Sequence, residues 1–382
     1  MKIIFVCSSI EKGKDGIGDY TRKLSQICVT LGHYPVLVAI NDKYVNKIIN
    51  GVDDSAVPYY RFPQNMSWLQ KRKEWRHVLE NIGEVAWISL QFVSYGYNER
   101  GIFFCEEICA FKHMFKNIPV HLMMHELWVG EEKNANSKRK FFGMVQKWNV
   151  LFFIRAIRPN IVHTSIPLYR LMLEKVKIVS SLLPLFSNIS PSLLKRDEFK
   201  ENVPPHIYNA KDLYLIGCLF GSIYYENWDL SSILESLLLE KEKNGKECVM
   251  ISIGKITYGA EFWAGLPQKY PKIQFLTLGI QEEKVISYWL QYFVDFGVVT
   301  TPAIIAGKSG SCMAFKEHGL PIFCKENELK FSFKIPEDLI FDRQIVQLKK
   351  NTPFSLPKRV MVKSQVEIVT QEFIQKLTEY QF

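Results

Sequence analysis

The sequence predicts an α/β chain of two Rossmann-like, doubly wound parallel-sheet domains facing a central cleft. Three observations lead there. At 382 residues the chain exceeds one ordinary core, since domains of about 100–200 residues are the rule. Short, nearly continuous apolar runs alternate with helix-length segments, the pattern of strands covered on both faces by crossover helices. That rhythm stops in a polar, proline-containing stretch over 190–211 and then restarts. The boundaries read as an N-terminal domain over 1–186, a linker over 187–211, a C-terminal domain over 212–345, and a helical tail over 346–382 packing back across the domains.

In the N-terminal domain, strands are expected over 3–6, 35–40, 85–91, 120–124, 161–164 and 178–181, with helices over 19–31 and 71–82. The opening Lys2-Ile3-Ile4-Phe5-Val6-Cys7 ends in Ser8-Ser9 and lacks the apolar stretch of a signal peptide, so it reads as a first strand. The C-terminal domain should hold strands over 213–219, 247–253, 273–278, 296–299 and 321–324. Helices fall over 282–292 and 311–318, the latter closed by Gly319, because glycine enters the left-handed region cheaply. The tail ends in an amphipathic helix over 364–380. Strand, helix, strand at this spacing argues for parallel pairing, which places ligands at the carboxyl ends of the strands.

Composition is that of an ordered globular chain, 47% hydrophobic and 23% charged. Aromatics at 13% exceed what a lean core needs and suggest a sticky face or a lined cleft. The net charge of +9 lies in the first half: residues 1–190 hold 25 Lys and Arg against 16 Asp and Glu, and residues 191–382 hold 23 of each. The clusters are Lys71-Arg72-Lys73 with Arg76, Lys138-Arg139-Lys140 with Lys147, and Arg155 with Arg158. They read either as a solvated basic face or as a surface for an anionic partner. Eight cysteines without a CxxC pair point to reduced thiols and no structural zinc. No apolar run reaches the roughly 18–20 residues that span a bilayer.

Six loops stand out. Gly307-Lys308-Ser309-Gly310-Ser311 combines small residues, one cation and a helix start, so exposed N–H groups and the helix dipole make an anion cradle. A tight turn with solvated serines is the other reading. A Walker A loop is excluded because its first glycine would be Pro302. Asp15-Gly16-Ile17-Gly18-Asp19-Tyr20 follows the first strand but has Thr21 where a dinucleotide fingerprint needs glycine; its glycines allow close approach by a ligand or the opposite domain. His125-Glu126 ends a strand where such sheets bind ligands, and the bland alternative is a satisfied structural histidine. Gln91 to Tyr97 is polar and aromatic, a surface suited to a sugar or a lipid-linked acceptor. Gly221-Ser222 and Gly254-Lys255 each follow a C-terminal strand.

In order and placement these loops resemble GT-B glycosyltransferases, specifically retaining family 4-like enzymes of bacterial surface-polysaccharide and exopolysaccharide assembly. The resemblance runs from Gly16–Tyr20 through His125-Glu126, Gly221-Ser222 and Gly279 to Gly307–Pro321. It implies a C-terminal domain that binds a nucleotide sugar, UDP before GDP, and an N-terminal domain that binds a saccharide or lipid-linked acceptor. It further implies a cytoplasmic protein docked on an anionic membrane, with no cofactor, no metal and no nucleic acid. By resemblance, Gly221, Ser222, Lys255, Gly279, Gly307, Ser309, Gly310, Ser311 and Glu317 hold the donor. His125 and Lys308 are catalytic, and Gly16, Gly18, Asp19, Gln91, Tyr95 and Glu126 line the acceptor side. One departure is clear: the family's glutamate pair falls on Ala306 and Ala314, and Glu317 is the substitute for the ribose contact. Without an Asp-x-Asp motif no metal bridges the diphosphate, and without a nucleophile the implied transfer is front-face with retention, electrostatically assisted by Lys308 and Lys255.

Three alternatives remain at this stage: a GT-B sugar-nucleotide epimerase, a non-catalytic nucleotide-sugar-binding protein, and an NAD-dependent dehydrogenase, the last disfavoured by Thr21.

Overall fold

A computed structural model describes residues 1–223, 230–325, 329–336, 339, 342–348 and 355–380. Its strands are β1 Lys2–Cys7, β2 Tyr34–Asp42, β3 Ile49–Val52, β4 Pro58–Pro63, β5 Trp87–Phe92, β6 Val120–Met124, β7 Ile161–Thr164 and β8 Ser181–Leu182. They continue with β9 Tyr214–Phe220, β10 Glu247–Ile253, β11 Gln274–Gly279, β12 Phe296–Val299, β13 Ile322–Lys325 and β14 Ile345–Leu348. The helices are α1 Gly16–Thr30, α2 Trp68–Ile82, α3 Cys105–Met114, α4 Ser137–Ile157, α5 Pro167–Lys175 and α6 Pro205–Asn209. Further on come α7 Ser231–Asn244, α8 Ala260–Lys269, α9 Glu283–Tyr292, α10 Gly310–Glu317 and α11 Val366–Glu379.

The chain forms two compact units. One holds Met1–Leu185, Leu329–Ile335 and Val366–Phe382; the other holds Phe186–Glu328 and Pro336–Gln365. The first sheet has the order β3-β4-β2-β1-β5-β6-β7-β8, the second β11-β10-β9-β12-β13-β14. Every pairing is parallel except β3 with β4. Strand order therefore reverses between β1 and β5 in the first sheet and between β9 and β12 in the second, the two switch points where such sheets take ligands.

Most expected elements are present, and the differences have local causes. Helix α1 begins at Gly16 rather than residue 19 because the Asp15 carboxylate caps it, accepting from Gly18 N at 2.8 Å. Helix α2 begins at Trp68 rather than 71 because Ser67 and Gln70 form a reciprocal capping box. The strand expected over 178–181 is reduced to Ser181–Leu182. Strands β3, β4 and β14 were not foreseen; β3 and β4 lie at a sheet edge, where burial is partial and the apolar pattern weak.

Two readings of surface residues are corrected. Phe92, Tyr97, Phe103, Phe111 and Phe153 form one buried aromatic cluster with ring centroids 4.9–6.5 Å apart, so this part of the aromatic excess is core rather than a lined cleft. Lys71, taken from sequence as part of a surface cluster, is 1% exposed. Its ammonium donates to Asn41 Oδ1 at 2.7 Å and lies 4.4 Å from the Trp68 ring. Burial pushes its pKa down to about 8.

The stretch over 187–211 folds with the second unit: Ser187 N donates to Glu317 Oε1 at 2.5 Å, and Tyr288 donates to Arg196 O. Of the tail over 346–382, residues 349–354 and 381–382 lie outside the described residues. Arg359 donates to the carbonyls of Leu290, Gln291 and His318 within the second unit. Helix α11 belongs to the first unit, with Phe373 5.7 Å from Phe5 and 5.0 Å from His121, ring to ring. Among the described residues no helix is long and apolar enough to cross a membrane.

Candidate functional site

In the first unit the carboxyl ends of β1, β5 and β6 deliver Ser8–Ile10, Val93–Tyr97 and His125-Glu126 to one edge of the sheet. The switch point is filled from within. Gly96 lies so close to Ser8 that a Cβ there would meet Ser8 Oγ at 2.5 Å, and Asn41 Nδ2 donates to Gly96 O at 3.2 Å. A Cβ on Gly18 would meet Ser9 O at 2.5 Å, so this glycine serves the approach of α1 to the β1 loop of its own unit. Gly16 is the first helical residue with nothing within 4 Å of such a Cβ. Asp19 accepts from Gly13 N at 3.1 Å and fixes the loop between β1 and α1. Arg61 braces the same loop through Glu11 at 2.6 Å and Asp42 at 2.7 Å. Tyr95 accepts from Gln146 Nε2 at 2.8 Å through its hydroxyl and is partly exposed, whereas Glu126 is half-buried.

His125 is 2% exposed and belongs to a buried polar chain. Its Nε2 lies 2.8 Å from Gln91 Oε1, and Gln91 Nε2 donates to Ser89 Oγ at 2.8 Å. Ser89 Oγ is 2.9 Å from His121 Nδ1, and His121 Nε2 is 2.9 Å from His163 Nδ1. A carbonyl oxygen only accepts, so with this Gln91 orientation His125 carries its proton on Nε2. Its Nδ1 is then a bare acceptor, buried and without a hydrogen-bond partner among the described residues. Burial pushes the His125 pKa down to about 3 and that of His163 to about 4, and holds His121 well below the usual range, so all three are neutral near pH 7. A neutral imidazole of that pKa is a weak general base and a competent hydrogen-bond acceptor.

Ser89, His121 and His163 were not singled out from sequence. The available signal was a polar residue at alternate positions of otherwise apolar strands, Ser89 and Gln91 on β5 and His121 on β6, which period two puts on one face.

In the second unit the carboxyl ends of β9, β10 and β11 each turn on a glycine with positive φ: Gly221 at +82°, Gly254 at +87° and Gly279 at +68°. Gly221 N donates to Ile253 O at 2.8 Å and Gly254 N to Gly279 O at 2.7 Å, which ties the three turns together. At Gly221 and Gly279 an added Cβ would meet nothing within 4 Å, so the backbone conformation alone demands glycine and the space beside it is open. Ser222 Oγ lies 2.5 Å from Thr257 Oγ1, and Lys255 is exposed next to them.

Val298 of β12 pairs with Leu219 of β9, so the segment from Thr300 leaves the sheet beside Gly221. That segment is not the open loop expected. Ala303–Lys308 is a 3-10 helix, which places Gly307 and Lys308 inside a helical turn. Ser309 then caps α10, accepting from Cys312 N at 3.4 Å and lying 3.0 Å from Ser311 Oγ. The first-turn N–H groups at Gly310 and Ser311 have no intrahelical acceptor, so the anion-attracting end of α10 is at the second switch point. Gly221, Ser222, Gly254, Gly279 and the 300–311 segment thus share one edge of one sheet.

Ala306 and Ala314 are fully buried, with Ala306 in the 3-10 helix and Ala314 in α10. Glu317 is 2% exposed and holds Ser187 N. Ser287 Oγ and His318 Nε2, 2.9 Å apart, support α10 from α9, and burial pushes the His318 pKa down to about 4.

Two cavities of about 530 Å³ in the first unit lie elsewhere. One is lined by Arg158 to Val162 and Ile178 to Ser181, the other by Lys2, His33 to Val36 and Asn81-Ile82. Both sit at the amino ends of strands, so neither coincides with the glycine-rich edges. Among the described residues no group of three or more His, Cys, Asp or Glu could hold a metal ion.

No protein-family model matches the chain, and no curated protein matches it by sequence. Solved structures do. The E. coli trehalose-6-phosphate protein bound with UDP-2-fluoro glucose aligns over 100% of both chains at 11% identity and a TM-score of 0.52. The α,α-trehalose-phosphate synthase (UDP-forming) of Burkholderia vietnamiensis aligns over 86% of this chain and 83% of its own, at 8% identity and a TM-score of 0.50. At such identities the likeness concerns backbone architecture. The chain has the GT-B fold, two Rossmann-like units each built on a parallel sheet.

Proposed function

We propose that this protein is a glycosyltransferase that takes a sugar, a hexose such as glucose, from a UDP-sugar and passes it with retention to a saccharide or lipid-linked saccharide of polysaccharide biosynthesis. One observation carries the reading: three linked positive-φ glycine turns and the Ser309-capped start of α10 converge at the second unit's switch point. Backbone N–H groups there suit a diphosphate, and a helix amino end favours its negative charge. Gly221, Ser222, Gly279 and Gly307 to Ser311 surround that group in this reading, with Lys255 and Lys308 as its cations. As the sugar–phosphate bond breaks, charge grows on the leaving diphosphate, and fixed donors stabilise it without reorganising. The leaving phosphate takes the acceptor's proton in this reading, and His125, at a strand end of the first unit, is the candidate on the acceptor side. The fold is also that of solved UDP-sugar-binding proteins, which supports a UDP donor.

The test is a thermal-shift panel of UDP-, GDP-, ADP- and TDP-sugars, since a ligand that binds only the folded state must stabilise it. The largest shift is expected with the UDP-sugar. Stabilisation by NAD with none by any nucleotide sugar would sink the reading. Incubation with donor alone separates transfer from epimerisation, which needs no acceptor. A UDP-linked shift without turnover on any acceptor would leave a binding protein.

A further inference from the structure

Arg158 closes helix α4 with φ at +50° and ψ at +63°, the left-handed region ordinarily left to Gly or Asn. Pro159 directly after it narrows the backbone choice further. Its N–H donates to Ile154 O at 2.9 Å, as a helix end requires. A cation in that place can also bond the last carbonyls. The Arg158 guanidinium does not: it has no hydrogen bond and no ion pair among the described residues. A long side chain kept on an unfavourable backbone, with no internal partner, points to a use outside the helix.

Arg158 lines the cavity of about 530 Å³ at the amino end of β7. Its lining holds that one cation and no carboxylate, and the walls are largely aliphatic: Ile154 from α4, Ile161 and Val162 from β7, and Ile178 ahead of β8. Ser180 stands in the same lining, and its hydroxyl is buried without a hydrogen-bond partner among the described residues. A buried hydroxyl left so is costly until an acceptor reaches it. Asn160 has a different task. Its Oδ1 accepts from Val120 N at 2.9 Å and its Nδ2 donates to Tyr380 Oη at 3.1 Å, which braces the wall. In the other cavity the lysine, Lys2, already donates to Ile82 O.

A guanidinium fork fits carboxylate and phosphate alike. Two features favour a monoanion. The cavity has a single cation, and the carboxyl-end turn of α4 that lines it through Ile154 adds partial negative charge. The aliphatic walls call for an apolar body on the same ligand.

We propose that this cavity is a ligand site for a small monocarboxylate with an apolar body. The carboxylate pairs with the Arg158 guanidinium and accepts from Ser180 Oγ, and the body lies on Ile154, Ile161, Val162 and Ile178. The site is at the amino ends of the strands, away from the glycine-rich edges, and does not depend on the reaction proposed above.

The test is isothermal titration of the full chain with butanoate, hexanoate and octanoate, against hexanamide and inorganic phosphate as controls. Affinity should rise roughly fourfold per methylene until the cavity is filled. Hexanamide, which keeps the body and loses the charge, should bind roughly tenfold or more weakly than hexanoate. Arg158→Gly removes the guanidinium and supplies the residue that this backbone prefers, so it should melt no lower than the parent yet lose roughly tenfold or more for hexanoate. Arg158→Asn should behave alike, and Ile178→Ser should flatten the chain-length series. No heat from any acid at millimolar concentration overturns the proposal. So do equal binding of hexanoate and hexanamide, tighter binding of phosphate than of hexanoate, and full hexanoate affinity in the two Arg158 variants.

Discussion

Gln91 Oε1 lies 2.8 Å from His125 Nε2, and both side chains are buried. The bond decides which nitrogen of His125 carries hydrogen and leaves Nδ1 as the acceptor. Gln91→Leu removes the partner of a buried N–H and of Ser89, so it should destabilise the fold by about 1–3 kcal/mol, measured by chemical denaturation. Transfer should fall further than the UDP-induced thermal shift does. Equal loss of both would separate Gln91 from the reacting side.

The buried histidines predict a pH dependence with a definite sign. His121, His125 and His163 have lowered pKa values in the folded chain, about 3 for His125 and about 4 for His163, against 6.5 for the free group. Below about pH 6.5 the unfolded chain binds more protons, so stability falls as pH falls. Their contribution is complete above about pH 6.5 and declines toward about pH 4. Denaturation free energies should drop between pH 7 and 5 by on the order of 1 kcal/mol per pH unit per histidine, and His163→Asn should flatten the slope. A parent profile already flat in that window contradicts the neutral, buried assignment.

Two glycines of one loop should behave oppositely. Gly18→Ala forces a Cβ to 2.5 Å from Ser9 O and 2.9 Å from Ile10 Cα, a backbone clash worth about 1–3 kcal/mol of destabilisation. Gly16→Ala meets nothing within 4 Å in a helical conformation and should raise stability by about 0.5–1 kcal/mol. Differential scanning calorimetry of the pair checks it, and equal melting temperatures would contradict the close approach.

In the second unit, Gly221→Ala has room for its Cβ but must keep φ near +82°. A strain of about 1–2 kcal/mol should lower the melting temperature without ligand. Lys308→Ala should reduce the UDP-sugar shift by more than it changes the unliganded melting temperature. Full retention of the shift in Lys308→Ala would remove that lysine from the diphosphate site.

What the sequence determined by itself was the architecture. Strands such as 120–124, 247–253 and 296–299 are near-continuous apolar runs, and such runs have few ways to be satisfied other than in a parallel sheet covered on both faces. Gly319 was legible because glycine stands where φ turns positive after a helix. What only the tertiary structure decided was the use of individual side chains. Lys71 looks like its neighbours Arg72 and Lys73, and nothing local says that it alone turns inward to Asn41. Glu317 is one carboxylate on a helix until the chain brings Ser187 to it across 130 residues. His125 is an isolated histidine in the sequence, and its tautomer is set by Gln91, Ser89, His121 and His163 from two neighbouring strands and its own. Periodicity is a local property written along the chain, whereas hydrogen-bond partnership across a sheet depends on which strands become neighbours and in what register.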